Sequence, residues 1–236
     1  SVTRGGGGGG YKNIVLAPAS VQETHDLMQL AFHLADKYRN PVVVLTDGLV
    51  GHLVEPLEIR TINFGSLPDK DWAVTGEGRR GDGMHRAVGA SYNRLVDASY
   101  VAYLRELRDK YQAMESEVRY EEYRTDDAQL IVVAYGYCAW VSSEAVDIAR
   151  SQGLKAGVLR PITLWPFPHK AIRNKAAAGC RFLVVEDSLG LMVDDVRMDV
   201  DNKTEVHLVD STFRNIPSEE GLIMPGTVLE AIRRFT

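Results

Sequence analysis

Two apolar runs on either side of one amphipathic helix constrain the fold more than any other feature of the chain. Asn13-Ile14-Val15-Leu16-Ala17-Pro18 reads as a short buried strand stopped by proline. Pro41-Val42-Val43-Val44-Leu45 reads as a second strand, without polar alternation. A strand apolar at every position has both faces covered, as in a parallel sheet, so residues 41–45 are expected as a central parallel strand. Between the two, Ser20 and Glu23 have the spacing of a capping box, and Leu27, Leu30, Ala31 and Leu34 recur at helical intervals. A helix is therefore expected over Val21–Tyr38, ended by Asn40-Pro41. Strand, helix and strand within about 35 residues make a βαβ unit.

Residues 1–10 end in six glycines, which have no side chains to pack and read as a flexible loop or as a loop closing over a cofactor in a neighbouring subunit. Residues 57–82 lose all periodicity and are expected to run along the surface. Residues 85–118 turn helical, with an apolar stripe at Val88, Leu95, Val96, Ala102, Leu104 and Leu107 and charges elsewhere. Such a helix suits a connector between domains or an oligomer contact. A second α/β pattern then begins near Thr125. Strands are expected at 129–135, 156–159, 181–186 and 205–209. Helices are expected at 142–151, 169–178, Met192–Val200 and 225–234, with Gly153 ending the first of them. Pro161-Ile162-Thr163-Leu164-Trp165-Pro166-Phe167-Pro168 reads as a stiff loop.

Composition excludes several functions. A net charge of -5 argues against a nucleic-acid partner. No apolar run approaches the roughly 20 residues that span a bilayer. Cys138 and Cys180 form no CxxC pair, so no zinc or iron–sulfur site is expected, and reduced thiols in a cytoplasmic protein are the plain reading. The six histidines lack metal spacing, and Ser142-Ser143 lacks a glycine-flanked nucleophile elbow. Gly81-Asp82-Gly83 spells the start of the metal–diphosphate motif of thiamin-diphosphate enzymes. That motif ends a buried strand, and the polar residues 77–80 favour a surface turn instead. Thr46-Asp47-Gly48 closes the second strand, where ligand sites gather in open parallel sheets, and His52 and Glu55 follow it. These residues fit an active-site border or an ordinary left-handed turn. Arg160-Pro161 and Glu186-Asp187 end two strands of the second region and suit an interface ion pair, a ligand contact or a structural use.

Several blocks together resemble one family. They are Leu16-Ala17-Pro18-Ala19-Ser20-Val21-Gln22-Glu23, Leu34-Ala35-Asp36-Lys37-Tyr38-Arg39-Asn40-Pro41-Val42, Asp47-Gly48 and Val54-Glu55-Pro56. Val133-Ala134-Tyr135-Gly136, the proline-rich run from Leu159 to Pro168, Val184-Val185-Glu186-Asp187 and Met192-Val193-Asp194-Asp195-Val196-Arg197 follow in the same order. The chain resembles the α subunit of 2-oxoacid:ferredoxin oxidoreductases, of the 2-oxoisovalerate and 2-oxoglutarate types, over nearly its whole length. The resemblance implies an α/β fold in two parts. Residues 1–64 would be the C-terminal part of a pyrimidine-binding thiamin-diphosphate domain with a parallel sheet. Residues 65–125 would be a linker with a long helix, and 126–236 a transketolase C-terminal-like three-layer domain.

The resemblance further implies thiamin diphosphate with Mg²⁺, shared with a β subunit that carries the diphosphate-binding domain. Iron–sulfur clusters would lie on partner subunits (γ/δ or ferredoxin-like), with coenzyme A as cosubstrate and ferredoxin as electron acceptor. A hetero-oligomer with α–α contacts, active only as a complex, is expected, without nucleic acid or membrane. By position, Ser20, Gln22, Asp47 and His52 would wall the cofactor pocket. No catalytic or metal residue is expected in this chain, because the family's activating glutamate and Tyr-Pro-Ile-Thr-Pro-type motif belong upstream. The family's GGGHGD-like loop is replaced by Gly5-Gly6-Gly7-Gly8-Gly9-Gly10. A non-catalytic assembly module and a fragment of a transketolase or E1-type enzyme are the alternatives.

Overall fold

A computed structural model describes residues 10–70, 99–212 and 221–236. Gly5 to Gly9, Gly81-Asp82-Gly83 and the first fourteen positions of the helix expected from residue 85 lie outside the described residues.

The first sheet has the order β2-β1-β6. Strand β1 (Ile14–Leu16) leads into helix α1 (Val21–Tyr38) and returns as β2 (Val42–Val44), which pairs with β1 in parallel. The βαβ unit is as expected, and α1 has the expected bounds. Ser20 caps it by accepting from the Glu23 amide at 3.0 Å. The Glu23 carboxylate reaches back one residue further than in the standard box, to the Ala19 amide at 2.7 Å. Leu27, Leu30, Ala31 and Leu34 are the buried face.

Strand β2 corrects the expectation of a central strand. It is the edge of its sheet among the described residues, and its three valines are half-buried while Ile14, Val15 and Leu16 are fully buried. A run of β-branched residues reports fit to a pleated surface and cannot distinguish an edge from a centre. The other neighbour of β1 is β6 (Thr163–Trp165), antiparallel and drawn from the segment expected to be a loop. Its prolines flank the paired residues, so the missing N–H groups cost the ladder nothing.

Residues 53–70 carry no regular structure and strap α1 lengthwise. The Gln22 amide both donates to the Glu58 carbonyl and accepts from its N–H, and Gln29 does the same with Arg60 and Ile62. Asp26 holds Arg60, and His33 packs on Phe64. Positions 22, 26, 29 and 33 share one face of a helix.

A short helix α2 (Gly48–His52) follows β2. Asp47 precedes it with φ -84 and Gly48 is its first residue, so the left-handed-turn reading of Thr46-Asp47-Gly48 does not hold. Helix α3 (Ser99–Met114) is anchored at its end, where Met114 is buried and the Tyr38 hydroxyl donates to the Ala113 carbonyl. Val101 and Leu104, further up, are about half exposed.

The second sheet has the order β3-β5-β4-β7-β8. Strands β4 (Leu130–Ala134), β5 (Ala156–Pro161), β7 (Arg181–Val185) and β8 (Val206–Val209) are parallel. Strand β3 (Tyr120–Tyr123) is an antiparallel edge with every residue exposed, which is why no apolar pattern announced it. Helices α4 (Tyr137–Ser151) and α7 (Pro225–Phe235) cover one face, and α5 (His169–Ala177) and α6 (Met192–Val200) the other. Alternate residues divide between the faces: Leu130, Val132 and Ala134 pack with α4 and α7, Ile131 and Val133 with α5 and α6.

Helix α4 starts five residues before the expected Ser142. Its cap is Gly136 at φ 58, and its first amide, Tyr137 N–H, is satisfied by Asp47, 90 residues upstream. A cap supplied from so far away leaves no local signal. Gly157, inside β5, faces the Arg124 carbonyl, which a Cβ would meet at 2.5 Å. Glycine here lets the turn before β4 lie against the sheet.

Candidate functional site

Loops at the carboxyl ends of β1 and β2 carry Ser20 and Asp47, the position at which open α/β sheets gather ligands. Two hollows open beside them. A cleft of about 430 Å³ lies between the start of α1 and the second sheet, lined by Ser20, Gln22, Glu23, Tyr123, Trp140 and Arg160 among others. A groove of about 600 Å³ runs between α1 and α2, past Met28, Phe32, Val50 and Leu53.

Arg160 organises the cleft. Its two terminal nitrogens donate to both Glu23 oxygens at 2.8 and 2.9 Å, and its Nε donates to Glu121 at 3.0 Å. The residue is 9% exposed. A bidentate pair of this kind fixes geometry as well as charge. The Arg60 guanidinium, with the His25 ring, holds the Asp26 carboxyl down at about 2. Among the described residues that line the cleft, the one cation, Arg160, is committed to Glu23 and Glu121.

The structure separates the four residues expected to share a pocket. Ser20 and Gln22 line the cleft, with the Ser20 hydroxyl committed to the cap and the Gln22 amide to Glu58. Asp47 accepts from the Val50 amide at 2.8 Å through one oxygen and from the Tyr137 amide at 2.8 Å through the other. His52 is exposed on the last turn of α2. Glu55 accepts from the Val21 amide at 2.9 Å.

Arg160 and Glu186 do not meet. Arg160 pairs with Glu23 and Glu121, whereas Glu186, 1% exposed, accepts from the Leu191, Met192 and Val193 amides and caps α6. Both uses are structural. The Glu23–Arg160 pair was missed in sequence because it joins residues 137 apart.

Burial pushes the Cys138 thiol up to about 12, with Asp187 and Asp47 adding to the effect. A thiol so held stays protonated and unreactive. Both cysteines are free and buried. Among the described residues no three His, Cys, Asp or Glu side chains are placed to hold a metal ion, and no helix is long and apolar enough to cross a membrane. With the polar atoms of Ser20, Gln22 and Asp47 turned onto the chain itself, the described residues do not supply a binding set for a diphosphate and its metal.

The family model for pyruvate flavodoxin/ferredoxin oxidoreductase, thiamine diphosphate-binding, matches residues 4–121. The model for pyruvate:ferredoxin oxidoreductase core domain II matches 128–215. The ketoisovalerate oxidoreductase subunit VorB of Methanothermobacter thermautotrophicus is 45% identical over 98% of this chain and 63% of its own length. VorB of Methanothermobacter marburgensis is 46% identical over 84% of the chain and 55% of its own length. The 2-oxoglutarate synthase subunit KorA of Methanothermobacter marburgensis is 35% identical over 87% and 61%. The chain thus spans between 55% and 63% of these relatives. A 2-oxoglutarate:ferredoxin oxidoreductase from Magnetococcus marinus, solved with 2-oxoglutarate, coenzyme A and succinyl-CoA, shares the fold, with a TM-score of 0.67 and 19% identity over 99% of this chain and 44% of that one.

Proposed function

This chain belongs to the pyruvate flavodoxin/ferredoxin oxidoreductase family, and on that premise we propose that it is part of the α-type subunit of a 2-oxoacid:ferredoxin oxidoreductase acting on a branched-chain 2-oxoacid. The observation that carries the reading is that two models of one family match the chain in order, 4–121 and then 128–215. The choice of substrate class rests on identity, which falls from 45% and 46% for the ketoisovalerate subunits to 35% for a 2-oxoglutarate one.

The reaction converts a 2-oxoacid and coenzyme A to an acyl-CoA and carbon dioxide, with two electrons passing to ferredoxin through iron–sulfur clusters on other subunits. Thiamin diphosphate, with Mg²⁺, is the electron sink such chemistry uses. In this reading the contacts to the diphosphate and its metal are assigned to a β subunit that carries the diphosphate-binding domain. This chain contributes a wall at the carboxyl ends of β1 and β2, where Ser20, Gln22 and Asp47 hold the loops and His52 borders them. In this division residues 1–64 are the pyrimidine-domain portion, 65–125 the linker and 126–236 the transketolase-C-like domain, with β6 reaching back to join the first sheet. The assembled hetero-oligomer is placed in the cytoplasm.

The complete complex should reduce a viologen dye in a 2-oxoacid- and coenzyme A-dependent way, with 2-oxoisovalerate giving a higher kcat/KM than 2-oxoglutarate or pyruvate. A complex that prefers 2-oxoglutarate would overturn the substrate class. One that reduces no dye with any 2-oxoacid would favour the second reading, a non-catalytic assembly module. The internal commitment of the Ser20, Gln22 and Asp47 side chains supports that reading.

A further inference from the structure

The second sheet has the strand order of a doubly wound fold, whose topology puts a ligand crevice at one point, and here the chain's own carboxylates occupy that point. After β4 the path goes to β5 on one side, then crosses to β7 and β8 on the other. The reversal leaves a switch point between the carboxyl ends of β4 and β7. In open α/β sheets this crevice receives the ligand, and the helix N-termini beside it attract anions. Here the flanking helices are α4, which follows β4, and α6, which follows β7.

Each N-terminus already holds a carboxylate. Glu186, at the end of β7, takes three amides at the start of α6 at 2.9–3.1 Å. The carboxylate at α4 comes from the first sheet. One Asp47 oxygen accepts from Tyr137 N–H at 2.8 Å and the other from Val50 N–H at 2.8 Å, so one side chain caps α4 and α2 together. The contact is shaped for it. Gly136 sits at φ +58, and a Cβ there would lie 2.3 Å from Asp47 Oδ2. Glycine is thus required both by its backbone angle and by the approach of the carboxylate. The Tyr135 hydroxyl, beside the same crevice, is pushed up to about 12 by burial and then by Glu186, Cys138, Asp47 and Asp187, in keeping with carboxylates converging there.

We infer that Asp47 is a latch: the first sheet seats its carboxylate in the anion position of the second sheet's switch-point crevice, and this fixes α2, with the neighbouring His52 and Glu55, relative to α4. Asp47 is then a positioning residue, and the second sheet is a receptor for the first. The inference does not depend on the proposed thiamin chemistry.

Amide hydrogen exchange on the full chain tests it. In Asp47→Ala, protection should fall at least tenfold at both Val50 and Tyr137, with Val132 in β4 unchanged. Gly136→Ala should expose Tyr137 in the parent chain. Its effect on unfolding should shrink in the Asp47→Ala background, because the clash is gone and only the backbone strain remains. If Asp47→Ala does not fold, Asp47→Asn carries the test: its amide can accept from one N–H but not both, so one of the two sites should lose protection. Unchanged exchange at Tyr137 in Asp47→Ala, additive effects of the two substitutions, or an Asp47→Asn chain that exchanges like the parent would each overturn the latch.

Discussion

Replacing Arg160 by alanine removes the group that ties the start of α1 to β5. The guanidinium makes two bonds to Glu23 and one to Glu121, and Arg160 itself is 9% exposed. Breaking a fully buried ion pair by deleting one partner costs roughly 3–5 kcal/mol, because the other charge is left unpaired. Glu23 is less extreme: its side chain is 21% exposed and keeps the Ala19 amide, so water at the cleft mouth offsets part of the loss. Glu121 is 63% exposed, and a pair that open contributes less than about 1 kcal/mol. Together these give a loss of about 2–3 kcal/mol. In a chain of this size that lowers Tm by roughly 5–10 °C. Urea denaturation of Arg160→Ala, Glu23→Gln and the double variant measures it. The coupling between Arg160 and Glu23 should be about 2 kcal/mol and clearly exceed that between Arg160 and Glu121. A loss below about 0.5 kcal/mol, typical of a surface substitution, would refute the reasoning.

Gly157→Ala should destabilise by about 2–3 kcal/mol or more, because the new methyl meets the Arg124 and Thr125 backbone at 2.5–2.9 Å and backbone cannot swing aside; urea melts check it, and a neutral result would contradict the close approach. His169 is held protonated above its usual range by its hydrogen bond to Asp199 at 2.7 Å, against the effect of burial. A raised histidine pKa contributes stability that is complete below about pH 6.5 and is lost as pH rises through the folded value. Tm should therefore fall across that window in the parent chain and be flatter in Asp199→Asn. Glu186→Gln should weaken the start of α6, seen as faster exchange at Met192 and Val193, since the amide retains one acceptor for three donors.

Local chemistry made part of this fold readable. Helix α1 was legible to the residue because Ser20, Glu23 and the Leu27–Leu34 stripe are all near neighbours in sequence, and α6 and the buried strands β4 and β7 were legible for similar reasons. The misreadings share a cause, pairing at a distance. Strand β3 is Tyr-Glu-Glu-Tyr, which has no apolar face and is a strand because β5 pairs with it. Strand β6 hides between prolines and exists through β1. The start of α4 depends on Asp47. For the site, sequence placed Asp47 at the end of β2 and Ser20 at the start of α1, with Gln22 in the first turn of α1. It could not see that the strap, the cap and the second sheet already use their polar atoms.

Binding of thiamin diphosphate, followed by calorimetry on this chain by itself and then on the complex with its β partner, separates half a pocket from a whole one. No uptake by the isolated chain and stoichiometric uptake by the complex is the expected pair of results. Tight uptake by the isolated chain, or decarboxylation of a 2-oxoacid without any partner, would contradict the claim that a second polypeptide completes the site.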